Sequence, residues 1–499
     1  MKKDDAVRKF RERIKEINHI YCLEEALMWD ARVNLPPRGA TYRSEVMGYL
    51  AGRKFALKTS PRMEELLGEL SGQAFEDEIL VKMISNARRD YERMKAVPAD
   101  LSAEYARHEV MTELIWQEAR RKNDYGMVRD VLKKSFDYKR AFASYYGYGN
   151  RVMDSLLGQW EEGCDTRKMD AMFEDLKAYI LPTLDRVRTA DRDYSRDRLK
   201  GHYPRDRQFA LINKVTAAVG YDHEAGLIGE SAHPFTLRLC PRDDMRFTTT
   251  IHESDFSIAL ISSMHEGGHA MYGQNLAPEL RGTMLGMGTS WGIDEGQARF
   301  FENIVGRSFE FWKHFYPLVQ EHFPSLSMDV EEFYRNLNAV AFQPIRLEAD
   351  EMTYNLHIII RYELEKRYYD DGLGVDELPG LWADKYEEYL GVRPKNDAEG
   401  ILQDVQWFSG WIGYYQNYVL ANCYDGHFLT SLQKSVPDFW QLVGRGEFEE
   451  INAWHNENVR QYGALYSPAE ILGKFSGETL SAGHYIDYLK RKFEPLYGL

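Results

Sequence analysis

The sequence has few cysteines and prolines, no excess of positive charge and no long apolar run, and each shortage excludes a class of protein. The four cysteines, Cys22, Cys164, Cys240 and Cys423, are widely scattered with no CxxC pair. A disulfide framework is therefore not expected, and they read as buried thiols of a reducing compartment. Only 17 prolines occur among 499 residues, of which 44% are hydrophobic and 28% charged, a composition foreign to disordered or collagen-like chains. A net charge of -15 argues against a general nucleic-acid binder, which needs a basic face for phosphates. The most apolar run, Phe256 to Met264, is far too short to span a bilayer. The N-terminus, from Met1-Lys2-Lys3 into Lys9, Arg11, Arg13 and Lys15, lacks the apolar core of a secretory signal. These absences predict a folded cytoplasmic protein that engages neither nucleic acid nor membrane.

What is present is helical periodicity. Val7, Phe10, Ile14 and Ile17 recur three or four residues apart, the spacing of one helix face. Similar patterns fill 105–123, 128–145, 168–187 and 345–369, with breaks at Pro36-Pro37, Pro61, Pro98 and the charged 195–208 segment. Between Gly226 and His252 the helical period disappears, and Met245-Arg246-Phe247-Thr248-Thr249-Thr250 reads as a strand. No repeat and no linker divides the chain. The expectation is a mainly α protein, one large helical domain over residues 1–499, with a small β-sheet inserted.

The strongest chemical signal is His265-Glu266-Gly267-Gly268-His269, inside an apolar helical stretch from Phe256 to Asn275. Residues four apart on a helix lie one above the other, so His265 and His269 can hold one zinc ion. Glu266 is then placed to deprotonate a water on the metal. Gly267 and Gly268 each weaken a helix by roughly 1 kcal/mol relative to Ala, which is understandable if a backbone or a substrate approaches closely there. A catalytic zinc keeps three protein ligands. Glu295, where a second helical pattern begins at Trp291, is the expected third, with Asp294 and Glu302 as rivals. Arg299 shares a face with Glu295 and Glu302 and is placed to orient the carboxylates.

With these motifs in order, the chain resembles the Taq-type thermostable carboxypeptidase family of zinc metallopeptidases. His233-Pro234-Phe235 is similar to the family's HPF, and Asp244-Met245-Arg246-Phe247-Thr248 to its DxRxT. Ile345 to Asp350 matches IRxxAD, and Gly400 to Trp407 nearly matches GxxQDxHW. Two positions depart from the pattern: Asp294 stands where the family usually has His before the ligand glutamate, and Gln406 where it has His before the tryptophan. Neither is an expected ligand, so metal binding should survive while transition-state support is weakened. The resemblance implies a helical fold with a deep groove, a homodimer, and release of single residues from peptide C-termini with broad side-chain tolerance. An oligopeptidase or dipeptidyl carboxypeptidase using the same chemistry, or a metal-binding pseudo-enzyme, is the alternative. Zinc is the expected metal, with cobalt open.

A carboxypeptidase must recognise a terminal carboxylate, for which a guanidinium offers a bidentate fork. Arg346 is the first candidate, and Arg346, Asp350, Thr353 and His357 fall on one stripe of a helix over 345–369, so Asp350 would fix the arginine. Arg246 is the second, and His233 a weaker one. Tyr414, where the family carries Gly-Tyr-Phe, is a candidate donor to the oxyanion, with core packing as its rival, and Gln406 could add an amide N–H.

Overall fold

The computed structural model describes residues 3–147 and 151–499, so Met1 and Lys2 at the start of the N-terminal segment lie outside it. The chain is mainly helical, with one three-stranded sheet among the described residues. It groups into two compact units, each assembled from three stretches. The first comprises Met1–Lys95, Leu199–Tyr334 and Phe428–Glu478; the second comprises Ala96–Arg198, Arg335–His427 and Thr479–Leu499.

In the first unit the opening periodicity becomes the helix Lys3–Val33. Its Phe10, Ile14 and Ile17 are buried with Leu67, Leu70, Met83 and Leu280 in one apolar cluster. Ser60 caps the helix Pro61–Leu70, its hydroxyl oxygen accepting the Met63 N–H at 3.1 Å, and Pro61 occupies the first turn where no N–H is needed. The charged 195–208 segment holds a short turn, Arg196–Leu199, and gives way to helix at Arg205.

The sheet has strands β1 (Gly226–Glu230), β2 (Thr236–Cys240) and β3 (Asp244–Thr249). β3 is central, parallel to β1 and antiparallel to β2, with Leu227 and Leu237 both opposite Arg246. Met245 and Phe247 of β3 are fully buried, and this strand lies against the helix Phe256–Gln274. Thus the expected strand at 245–250 is the middle of a sheet whose two outer strands carry weaker sequence signals.

The second unit is built from helices, among them Ala99–Lys122, Arg129–Tyr146, Thr166–Thr189, Tyr354–Asp370 and Leu378–Leu390. Here one expectation is corrected. The helix predicted over 345–369 begins only at Tyr354, and Arg346 lies in a separate short turn, Arg346–Glu348. The cause is local. Asp350 accepts the backbone N–H groups of Met352 and Thr353 at 2.9 and 3.0 Å and the Thr353 hydroxyl at 2.6 Å. Such side-chain bonds offer the backbone an alternative to the helix ladder and favour a helix start.

Candidate metal centre

The helix Phe256–Gln274 starts at Asp255, whose carboxylate accepts the Ser257 N–H at 2.9 Å. It carries His265 and His269 one turn apart, their ring centroids 5.0 Å from each other. The helix Trp291–Arg299 packs across it, started by Ser290, whose hydroxyl oxygen accepts the Ile293 N–H. The crossing is possible because of Gly268. A Cβ there would come within 2.5 Å of the Gln297 carbonyl oxygen and 2.6 Å of Ala298 Cα. Gly267 is different: a Cβ there would meet nothing within 4 Å. The backbone approach expected at the glycine pair is therefore found at Gly268 alone.

This close crossing delivers Glu295 to the histidines. Its carboxylate oxygens lie 3.6 Å from His265 Nε2 and 3.8 Å from His269 Nε2. Ligands held tetrahedrally at zinc–nitrogen and zinc–oxygen bond lengths sit about 3.4 Å apart, close to these two separations. Ligand atoms of all three residues lie within 4.8 Å of one another.

The other ring nitrogens are engaged. His265 Nδ1 lies 2.9 Å from Glu302 Oε2, and His269 Nδ1 lies 3.0 Å from Asp294 Oδ1. With Nδ1–H donating to a carboxylate, Nε2 is the ring nitrogen left for a ligand bond, and on both rings it faces Glu295. The two rivals for the third ligand thus occupy the far sides of the two rings. Glu302 reaches His265 from a π-helical turn, Phe300–Val305, marked by the Gly306 N–H donating to the Phe301 carbonyl at 2.9 Å. Such turns insert a residue into a helix and cluster at functional sites.

Each carboxylate is attended by arginine. Arg238 of β2 donates to both oxygens of Asp294 at 2.7 and 2.6 Å. Arg299 and Arg307 stand 3.8 and 3.9 Å from Glu302. Burial disfavours the charged form of Asp294, but Arg238 and then His269 outweigh it and hold the acid down at about 2. Glu302 is likewise held at about 2, burial being overcome by Arg299 and then by His265. For His265, burial opposes the imidazolium, yet Glu295, Glu302 and Glu266 overcome it and lift the ring to about 9. The cluster draws positive charge, and its two free-facing imidazole nitrogens and one carboxylate suit a borderline divalent cation.

Glu266, next to the first histidine, is only 8% exposed. The Thr236 hydroxyl of β2 lies 2.7 Å from its Oε2. Neither Thr236 nor Arg238 was singled out from the sequence, although both follow the His233-Pro234-Phe235 motif closely.

A family model for carboxypeptidase Taq (M32) metallopeptidases matches residues 9–493. The chain belongs to the carboxypeptidase Taq family of metallopeptidases. It is 37% identical to carboxypeptidase 1 of Bacillus subtilis over 99% of both chains. With thermostable carboxypeptidase 1 of Thermus thermophilus it shares 34% identity over 97% of each. The crystal structure of the M32 carboxypeptidase from Deinococcus radiodurans superposes with a TM-score of 0.96 at 33% identity, covering 99% of this chain and all of that one. Membership of the carboxypeptidase Taq family makes the protein a peptide hydrolase that uses a divalent metal.

The remaining expected residues of this carboxypeptidase fall into two groups. In the first unit, Arg246 is engaged by Asp244, its Nε and Nη2 each donating at 2.7 Å. His233 is exposed just before β2, its carbonyl accepting from the Ser231 hydroxyl at 2.6 Å. In the second unit, Arg346 is buried, and its partner is Asp404 rather than Asp350. Arg346 Nε and Nη2 donate to Asp404 at 3.0 and 2.8 Å, and Nη1 donates to the Tyr354 hydroxyl at 3.1 Å. Asp350 is instead spent on the helix start described above. Asp404 also accepts from Arg361 Nε at 2.6 Å. Burial opposes its ionisation, and Arg346 with Arg361 outweighs that to hold it far below the usual carboxylate range.

Tyr414 is buried among aromatic rings, edge-on to Trp160 and Trp411 with centroids 5.0 and 4.9 Å away. Gln406 accepts the Tyr415 hydroxyl at 3.3 Å. Nearby, Glu365 is wholly buried, accepting Trp407 Nε1–H at 2.5 Å and the Gly413 N–H at 3.0 Å.

Proposed function

We propose that this protein is a zinc-dependent carboxypeptidase that removes single amino acids from peptide C-termini with broad side-chain tolerance, the whole chain working as one peptidase domain. The observation that carries the reading is the convergence of His265 Nε2, His269 Nε2 and the Glu295 carboxylate, with both Nδ1 atoms fastened and Glu266 alongside. His265, His269 and Glu295 hold the ion. When bound, it supplies Lewis-acid polarisation of the scissile carbonyl and acidification of a water.

The protein's own groups do the rest. Glu266 takes a proton from the attacking water on its carboxylate and returns it to the leaving amine. Glu302 and Asp294 fix the two imidazoles in the ligating tautomer, and Arg299 and Arg238 keep those carboxylates ionised. Arg346 receives the terminal carboxylate of the substrate. It shares Asp404 with Arg361, so two guanidiniums answer one carboxylate, and the buried group retains a positive charge for an incoming anion. Tyr414 donates a hydrogen bond to the oxyanion, with Gln406 supporting it, and Arg246 and His233 make further substrate contacts.

The same reading takes cobalt as an alternative metal, a homodimer as the assembly and the cytoplasm as the working compartment. Peptides are the partners. The acidic net charge disfavours nucleic acid, and no helix among the described residues is long and apolar enough to cross a membrane.

The test is amino-acid release from an N-blocked tripeptide and a longer peptide, with and without chelator, then with zinc or cobalt restored. Stepwise release of single C-terminal residues, abolished by chelator and restored by metal, is expected. Dipeptide release or internal cleavage would overturn the exopeptidase reading. Glu266→Gln should keep its metal and lose activity by about 10³-fold or more.

A further inference from the structure

We infer that Thr236 is a positioning residue for the general base, an inference that rests on the reading of Glu266 as that base. Thr236 opens β2, paired with Phe247 of the central strand, and its side chain faces the helix that bears the two histidines. Its hydroxyl oxygen lies 2.7 Å from Glu266 Oε2 and 2.9 Å from the Glu266 backbone carbonyl. A hydroxyl has one proton to give. The carbonyl is inside a helix and is served by the N–H four residues on, whereas the side-chain oxygen carries charge and makes the stronger bond. The proton therefore goes to Oε2, which leaves Oε1 as the oxygen that accepts a proton from water.

The placement of Thr236 is well determined by its surroundings. Phe235 is clamped to β3 in both directions: its N–H donates to the Thr248 hydroxyl at 3.2 Å, and its carbonyl accepts the Thr248 N–H at 2.9 Å. Its ring packs edge-on against Trp29 at 6.0 Å, with the Arg32 guanidinium 4.8 Å from its centre. The ladder continues through Leu237 opposite Arg246. Two residues on, Arg238 grips Asp294, behind the second histidine. Side chains at i and i+2 of a strand share a face, so one short strand steadies both the base and one ligand of the proposed centre. Glu is a long side chain with considerable rotamer freedom. A base that wandered would lose the alignment on which proton transfer depends.

The experiment compares Thr236→Val and Thr236→Ser with the parent enzyme, reading kcat and KM on a blocked dipeptide. Metal affinity is measured by competition with a chromophoric chelator, and folding by the melting temperature. Valine keeps the branched shape and strand preference and exchanges the hydroxyl for a methyl that cannot donate. The expected result for Thr236→Val is a kcat lower by roughly ten- to a hundredfold, the scale of a hydrogen bond to a charged group, with KM within about twofold. Metal affinity and melting temperature should stay at parental values, and Thr236→Ser should recover kcat to within about threefold. A parental kcat in Thr236→Val would overturn the inference. So would a loss that follows weakened metal binding or a lowered melting temperature, or one that serine fails to repair. Glu266→Gln, assayed alongside, keeps the two failures apart. If it remains active, the base is misassigned. If it is inactive while Thr236→Val is unimpaired, only the role of Thr236 falls.

Discussion

Two buried ionic clusters, one in each unit, differ in the sign of what they are short of. Around His265 and His269, four carboxylates (Glu266, Asp294, Glu295 and Glu302) face three guanidiniums, those of Arg238, Arg299 and Arg307, and the excess negative charge is met by a proton that they hold on His265 in the absence of a metal. In the second unit, Asp404 is the carboxylate paired with both Arg346 and Arg361 among the described residues. Uncompensated charge away from water is costly, and it persists where a ligand is meant to complete it. One cluster asks for a cation and the other for an anion. On the proposed reading, a metal ion completes the first cluster and the carboxylate end of a peptide the second.

The largest effect that could break this contrast is at Glu295. Glu295→Gln removes one negative ligand, and metal affinity by chelator competition should fall more than about 10²-fold, beyond what outer partners contribute. Parental affinity would leave the first cluster without its proposed purpose. Arg346→Met probes the other side. KM for a free-acid peptide should rise roughly ten- to a hundredfold, with little change for the same peptide amidated at its C-terminus. An equal effect on both peptides would mean that the cationic cluster only packs.

A finer cut lies within the first cluster. Asp294 is in direct contact with Arg238 at 2.6 Å, whereas the arginines near Glu302 stand at 3.8 and 3.9 Å. Asp294→Asn should therefore lower the melting temperature more than Glu302→Gln, the former leaving a buried guanidinium without its carboxylate at a cost of about 3 kcal/mol. Both should weaken metal binding by about ten- to a hundredfold.

A last difference is in pH dependence. Burial pushes Glu365 up to about 8, while Trp407, Gly413 and Arg361 pull only partly in the other direction. The folded acid is above its ordinary value, so the unfolded chain releases this proton first. Its stabilising contribution is complete below about pH 4.5 and is lost as pH rises through about 8, with a slope of at most about 1.4 kcal/mol per pH unit. Denaturant titrations of Glu365→Gln between pH 5 and 8.5 should show a shallower decline than the parent.

The parts of this picture that were legible in the sequence are those written in local spacing. His265, Glu266 and His269 announce themselves at helical intervals, and the helix Phe256–Gln274 falls almost where the apolar pattern placed it. The opening helix is equally plain, because Phe10, Ile14 and Ile17 are buried as their period demands. What was obscure depends on partners distant in the chain. Arg346 meets Asp404 across 58 residues and Thr236 meets Glu266 across 30, and no periodicity encodes either pair. Asp350 looked like a helix-face neighbour of Arg346, but it serves as a local acceptor that holds the helix off until Tyr354. β1 and β2 escaped notice because each is five residues long, and β1 contains Gly226 and Gly229, which weaken a strand pattern.

The π turn at Phe300–Val305 makes this segment intolerant of a change in length rather than of a change in residue. One deletion there would return the ladder to α-helical phase and swing everything beyond it by about 100°. With the deletion placed before Glu302, Glu295 upstream would keep its place while Glu302 would rotate off His265. A side chain exchanged in this stretch leaves the ladder in phase, whereas a change in the number of residues between the two glutamates does not.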